Sequence, residues 1–278
     1  MRDIAIFSGA SHTFGLGLEI EFRDRYNDDA WLSKNGLMLP LPRELADKPF
    51  WRKYRWSKLL CEDLGLIEHN IHDNGDIPMG GNAVESIWWL TKDESIYKEL
   101  FEKTKYVFLE LGYTRWWDEK LHGSGDGKDY PHTIGEIIQL INNPKSDNSV
   151  VAKALQWIKD LDETLYWKET LSKYKKIKET YPEIQFVLIP WNGDVKEVDK
   201  ETSADWVDFK GYSSANAYIS QNKLRIGDIA KAFNGNYKYV YKDDHASSVG
   251  HRHIANIIIN YLNKNEDLEY IKITKQYI

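Results

Sequence analysis

Short apolar runs alternate along the chain with longer stretches in which apolar residues recur every three or four positions. The runs are 3–8, 66–71, 106–111, 184–189 and 237–241, the last the weakest because Lys238 interrupts it. Three of them stop at Gly9, Gly112 and Pro190. Brief β-branched and aromatic runs of this kind predict central strands of a parallel sheet. Between them, Val151, Leu155, Ile158, Leu161 and Leu165 form an apolar stripe at helical spacing. They predict one long helix with Ser149 as its cap. Ile134, Ile137, Ile138 and Ile141 predict a shorter helix, and Ile254, Ile257, Ile258, Tyr261 and Leu262 another near the end. Strands alternating with helices predict an α/β sheet covered on both faces. With no internal repeat and no low-complexity linker, residues 1–278 read as one domain. Insertions near 22–56 and 192–236 interrupt the alternation; such excursions either shape a ligand crevice at the strand ends or decorate the surface.

Composition narrows the function classes. The 278 residues are 42% hydrophobic, which supports a sizeable core and excludes disorder. The formal net charge of −6 argues against a nucleic-acid partner, which needs a basic footprint. No apolar run reaches the ~20 residues of a membrane span, so no membrane partner is expected. Residues 1–8 lack the basic start and long apolar stretch of a secretion signal, which predicts a cytoplasmic protein. The single cysteine, Cys61, excludes a disulfide framework within the chain and a Cys-rich zinc site.

Two segments carry candidate chemistry. The first strand runs into a turn of small residues, Gly9-Ala10-Ser11-His12-Thr13-Phe14-Gly15-Leu16-Gly17. A serine there stands at the carboxyl edge of the sheet, where the amides of a following helix can stabilise an oxyanion. The same serine also reads as a helix cap. The third glycine of a dinucleotide fingerprint is missing, and no phosphate-loop Gly-Lys-Ser/Thr occurs, so no nucleotide cofactor is expected. The second segment follows the last strand: Asp243-Asp244-His245-Ala246-Ser247-Ser248-Val249-Gly250-His251. An imidazole can take the proton of a serine hydroxyl, and a carboxylate can hold that imidazole in the required tautomer. Alone, Asp243 and His245 also read as an acidic turn before a helix. A serine turn after the first strand together with Asp-x-His after the last is harder to read as coincidence.

On these segments the sequence resembles the SGNH hydrolases, or GDSL-type esterases, from Ile4 to Leu262. Their first motif, Gly-Asp-Ser-x-Thr, matches Gly9-Ala10-Ser11-His12-Thr13 with Ala10 in place of Asp. Their last matches Asp243 to His251. The resemblance implies a flavodoxin-like, three-layer α/β/α sandwich with a five-stranded parallel sheet. It implies Ser11 as nucleophile, His245 as base and Asp243 as the partner of His245. The oxyanion would be held by the Ser11 amide and by Gly80 or Gly81 in Asn74-Gly75-Asp76-Ile77-Pro78-Met79-Gly80-Gly81-Asn82. The family's third motif, Gly-x-Asn or Gly-x-x-Asn, reads here Gly112-Tyr113-Thr114-Arg115-Trp116-Trp117 and has no Asn. Thr114 stands at the shorter spacing, but a hydroxyl is not a faithful replacement for an amide. In these departures the sequence resembles divergent phage-encoded members.

The remaining candidates weigh less. His69 and His72 lack a third ligand at useful spacing, so no metal is expected. His251 and His253 flank the start of the last helix, where capping or surface roles are expected. His12 points at substrate, solvent or core. Of each pair Trp88-Trp89 and Trp116-Trp117, one member is expected in the core. Arg115, Trp116 and Trp117 are the candidate substrate contacts. The lysines from 168 to 178 read as a solvated helix face. Two functions are expected to compete. One is a cofactor-free serine esterase acting on an acyl ester, such as an O-acetyl group, of a carbohydrate or other small substrate. The other is a weakly active or inert binding or structural module, for example a virion component bound to virion proteins.

Overall fold

Parallel hydrogen bonding joins β1 (Ile4–Ser8), β2 (Ile67–Asn70), β3 (Thr104–Leu111) and β6 (Gln185–Pro190) into one sheet, ordered β2-β1-β3-β6. The computed structural model describes residues 2–9, 13, 15, 18, 50–71, 82–92, 94–112, 115–116, 132–144, 148–192, 203–226, 228 and 245–263. The protein is therefore α/β with a parallel sheet. Among the described residues that sheet has four strands rather than five. The expected strand at 237–241 lies outside them. Leu188 on β6 also makes a single parallel bridge to Trp206. The described residues form two compact units, 1–11 with 67–206 and 12–66 with 207–278.

In the first unit, helices α2 (Ala83–Lys92), α3 (Glu94–Lys103) and α6 (Glu163–Thr180) cover one face of the sheet. The strand alternation explains which residues they meet. Ile6, Val107 and Phe186 lie side by side in register, and all three join the core with Ile87, Leu90, Phe101, Leu171 and Ile177. The neighbouring row points the other way and is also buried; its rings Phe7 and Phe108 stack 4.9 Å apart. A strand buried on both faces has no room for polar alternation, which is why these runs are nearly all apolar, with buried polar exceptions such as Ser8 on β1 and Glu110 on β3. Trp88 packs against this core while Trp89 is exposed, as expected of adjacent residues on a helix. The lysines of α6 face outward or pair at its margin: Lys173 with Glu85, and Lys178 with Asp205 at 2.6 Å.

A two-stranded antiparallel ribbon, β4 (Arg115–Trp116) and β5 (His132–Thr133), leads into α4 (Ile134–Asn142). Next comes α5 (Asn148–Asp160), and here the expected helix differs from the observed one. The stripe from Val151 to Leu165 spans two helices, broken at Leu161 and Asp162. Asp162 is extended, and its carboxylate accepts from Leu165 N at 3.0 Å, so it caps α6. Its side chain competes with continued helix, as short acidic side chains do. The stripe is only in part the packed face: Leu155 and Leu165 are each about half exposed, and Ile158 is the member that packs. Together with Ala154 and Trp157, which lie off the stripe, Ile158 packs against Ile137, Leu140 and Ile141. Ser149 lies inside the first turn of α5 rather than at its cap.

The second unit contains a 3-10 turn at Phe50–Tyr54, then α1 (Trp56–Leu64), α7 (Ala215–Gln221) and α8 (Ser248–Asn263). Helices α1 and α8 pack together, with Trp56, Leu60, Cys61, Ile254 and Ile258 buried. Their outer sides are joined by the Arg252–Asp63 ion pair. Within the expected insertion at 192–236, Ser214 caps α7 by accepting from Ala217 N at 3.2 Å. Of the insertion at 22–56, residues 22–49 lie outside the described ones. Among the described residues, no helix is long and apolar enough to cross a membrane.

Candidate functional site

The carboxyl edge of the sheet begins where β1 stops. Ser8, its last residue, is buried, and its Oγ donates to the carbonyl of Ala83 at 3.1 Å. This bond ties the end of β1 to the first residue of α2. The start of α2 is held in turn by Asn82. Its Oδ1 accepts from Val84 N at 2.9 Å and from Glu85 N at 3.5 Å. Its Nδ2 donates to Tyr166 Oη at 2.8 Å and to Thr170 Oγ1 at 3.1 Å. Both donors and both acceptor positions of the carboxamide are therefore used. An Asn directly before Ala83-Val84-Glu85 is an N-cap signal that the sequence carried and the motif reading passed over.

The adjacent strand ends are clamped just as tightly. Trp191 N donates to the Leu111 carbonyl at 2.6 Å, and Asn192 Nδ2 donates to the Gly112 carbonyl at 2.9 Å. A Cβ on Gly112 would lie 2.8 Å from Trp191 Cβ, so a glycine is what lets the two chains come this close. Beyond Gly112 the chain enters β4, which holds Arg115 and Trp116.

In the second unit the segment around His245 is built into the fold residue by residue. The His245 carbonyl accepts from Ile226 N at 3.0 Å, and Ala246 makes an antiparallel bridge to Arg225. Ser247 is fully buried; its Oγ donates to the Leu224 carbonyl at 2.7 Å and accepts from Gly250 N at 3.1 Å. Ser247 thereby caps α8. A Cβ on Gly250 would meet the Leu224 carbonyl oxygen at 2.7 Å, which explains the glycine. His245 itself is half-buried. In the same unit, Gly15 has φ +84, and a Cβ on it would press on Arg55 Cβ at 2.9 Å.

His251 corrects the expectation of a surface role or of a cap on its own helix. It is wholly buried inside α8, and its Nδ1 accepts from Trp56 N at 3.2 Å. Burial holds its pKa down at about 3, and the nearby His245 and Arg55 push it the same way. With Nδ1 accepting, the neutral ring carries its proton on Nε2, which is buried without a hydrogen-bond partner among the described residues. No local pattern signals this, because the partner of His251 lies 195 residues away. His253 is also within α8; its Nδ1 shares a hydrogen bond of 2.9 Å with Tyr218 Oη, and burial lowers its pKa.

Of the expected site residues, His245 and the strand positions of Arg115 and Trp116 are described. Ser11, Gly80, Gly81, Thr114, Trp117 and Asp243 lie outside the described residues, as do His12 and His72. Among the described residues, no three His, Cys, Asp or Glu side chains are grouped to hold a metal ion. No family model matches the chain, and the comparisons with curated proteins and with solved structures gave no match.

Proposed function

We propose that the protein is a serine ester hydrolase of the SGNH type, with the flavodoxin-like, three-layer α/β/α arrangement of that family. Ser11 Oγ attacks the acyl carbonyl while His245 takes its proton, and Asp243 orients the imidazole. His245 returns the proton to the departing alcohol as the ester C–O bond breaks. Water, activated by His245, then releases the acid and restores the serine. The amide of Ser11 and that of Gly80 or Gly81 hold the oxyanion, with Thr114 as a further donor. Arg115, Trp116 and Trp117 contact the substrate, an acyl ester of a carbohydrate or another small molecule; an O-acetyl group fits this chemistry.

The observation that carries this reading is the bond from Ser8 Oγ to the Ala83 carbonyl. Ser11 follows Ser8 by three residues, at most ~11 Å of chain. Gly80 and Gly81 immediately precede Asn82, which caps the same helix start. In sequence, the proposed nucleophile and the proposed glycine donors each lie within three residues of this junction of the first unit. The parallel order β2-β1-β3-β6 supports the reading too, since α/β sheets bind ligands at the carboxyl ends of their strands.

A second reading, an inert binding or structural module such as a virion component, is favoured by Ala10 and by the absence of Asn from residues 113–117. Hydrolysis of p-nitrophenyl acetate and labelling by a fluorophosphonate separate the two. The esterase is labelled, Ser11→Ala is not, and His245→Ala loses about 100-fold or more in kcat. A folded wild type that hydrolyses no faster than His245→Ala and resists the probe would establish the inert module.

A further inference from the structure

We infer that Asn192 is a positioning residue of the candidate hydrolytic site, acting through the Gly112 carbonyl; the inference rests on the ester-hydrolase reading. In the β3–β6 ladder the last backbone bond runs from Trp191 N to the Leu111 carbonyl. The next carbonyl, that of Gly112, lies past the end of the strand. There the Asn192 carboxamide takes over, donating at 2.9 Å. Two consecutive residues after β6 therefore grip two consecutive carbonyls at the point where the chain leaves β3.

The grip matters because of what it holds. Gly112 is the residue with the widest backbone freedom, and close approach to Trp191 requires that it have no side chain. A hinge so permissive would let the following segment swing unless something fixed its carbonyl. That segment bears Thr114, Arg115 and Trp116, the proposed donor and substrate contacts. Misplacing such groups by ~1 Å can lower a rate ~100-fold without touching substrate affinity in proportion. The carboxamide is suited to the task because it is a neutral donor aimed at a neutral acceptor. A carboxylate of the same shape has no proton to give and would repel the carbonyl.

The test compares wild type with Asn192→Asp, Asn192→Gln and Gly112→Ala, using p-nitrophenyl acetate. The aspartate variant is expected to lose ~10-fold or more in kcat with KM changed by less than about twofold, and to react more slowly with a fluorophosphonate. The glutamine variant, which keeps the donor on a longer arm, is expected to recover part of that loss. Gly112→Ala, which forces the strand ends apart, should reproduce the kcat defect. Circular dichroism reports the folded fraction; should the aspartate variant not fold, the glutamine and alanine variants carry the same comparison. Wild-type kcat in folded Asn192→Asp or in folded Gly112→Ala overturns the inference alone, and so does a kcat loss that merely follows the unfolded fraction. A wild type that neither hydrolyses the ester nor takes the probe overturns it together with the proposed function.

Discussion

Of the helix starts secured by side chains, those of α2 and α1 sit at opposite extremes of sequence distance. Helix α2 is capped by Asn82, whose oxygen reaches N–H groups two and three residues ahead. Helix α1 has no such local device, because Arg55 at its cap position makes no side-chain capping bond. Its first N–H is taken instead by His251, 195 residues further along the chain. The local cap leaves no polar group wanting and carries no charge. The distant one ties α1 to α8, but only while its ring is neutral, and it buries an Nε2–H that no described residue accepts. Two solutions to one hydrogen-bonding problem therefore differ in their dependence on acid.

Removing the distant cap should have the largest effect. His251→Ala leaves a cavity beside α1 and an N–H without its acceptor, and is expected to lower unfolding free energy by ~3 kcal/mol at pH 7 in urea titrations. The next effect sharpens the comparison. The folded pKa of His251 is about 3 against an ordinary 6.5, so the unfolded chain binds the proton first. Its stabilisation is intact above pH 6.5 and declines as pH falls from there towards 3. At ~1.4 kcal/mol per pH unit, wild type should lose about 2 kcal/mol between pH 6.5 and 5 relative to His251→Gln. Equal pH slopes for the two proteins would refute a neutral buried ring. Asn82→Ala should follow, at ~1–2 kcal/mol for the lost cap and the deprived Tyr166 and Thr170 hydroxyls, with the same value at pH 7 and pH 5.5. Smallest is Lys173→Met, which breaks a partly exposed ion pair with Glu85 and should cost less than ~1 kcal/mol, diminishing further in salt.

What could be foreseen from residue order follows the same division between near and far. The apolar runs that became β1, β3 and β6 were legible because burial on both faces leaves a nearly uninterrupted signature, whereas β2 (Ile-Glu-His-Asn) is fully buried only at Asn70. The stripe of α8 was legible as well: Ile254, Ile257 and Ile258 are buried as their spacing demands. The stripe from Val151 to Leu165 misled, since periodicity carries through a break that a single cap at Asp162 imposes. Within the site, the order of residues displays which chemical groups exist near strand ends. It does not display that Asn192 meets Gly112, because that pairing depends on β6 lying next to β3 in the sheet. His251 looked like a surface group for the same reason: its environment belongs to the packing of α1 on α8.

Cys61 stands on α1 with its side chain wholly buried, and it is the only thiol in the chain. An alkylating reagent dissolved in the surrounding water can meet that sulfur only during the moments when α1 lifts away. The speed of mass gain under such a reagent is consequently a clock for those moments, supplied by the native protein without any engineered label.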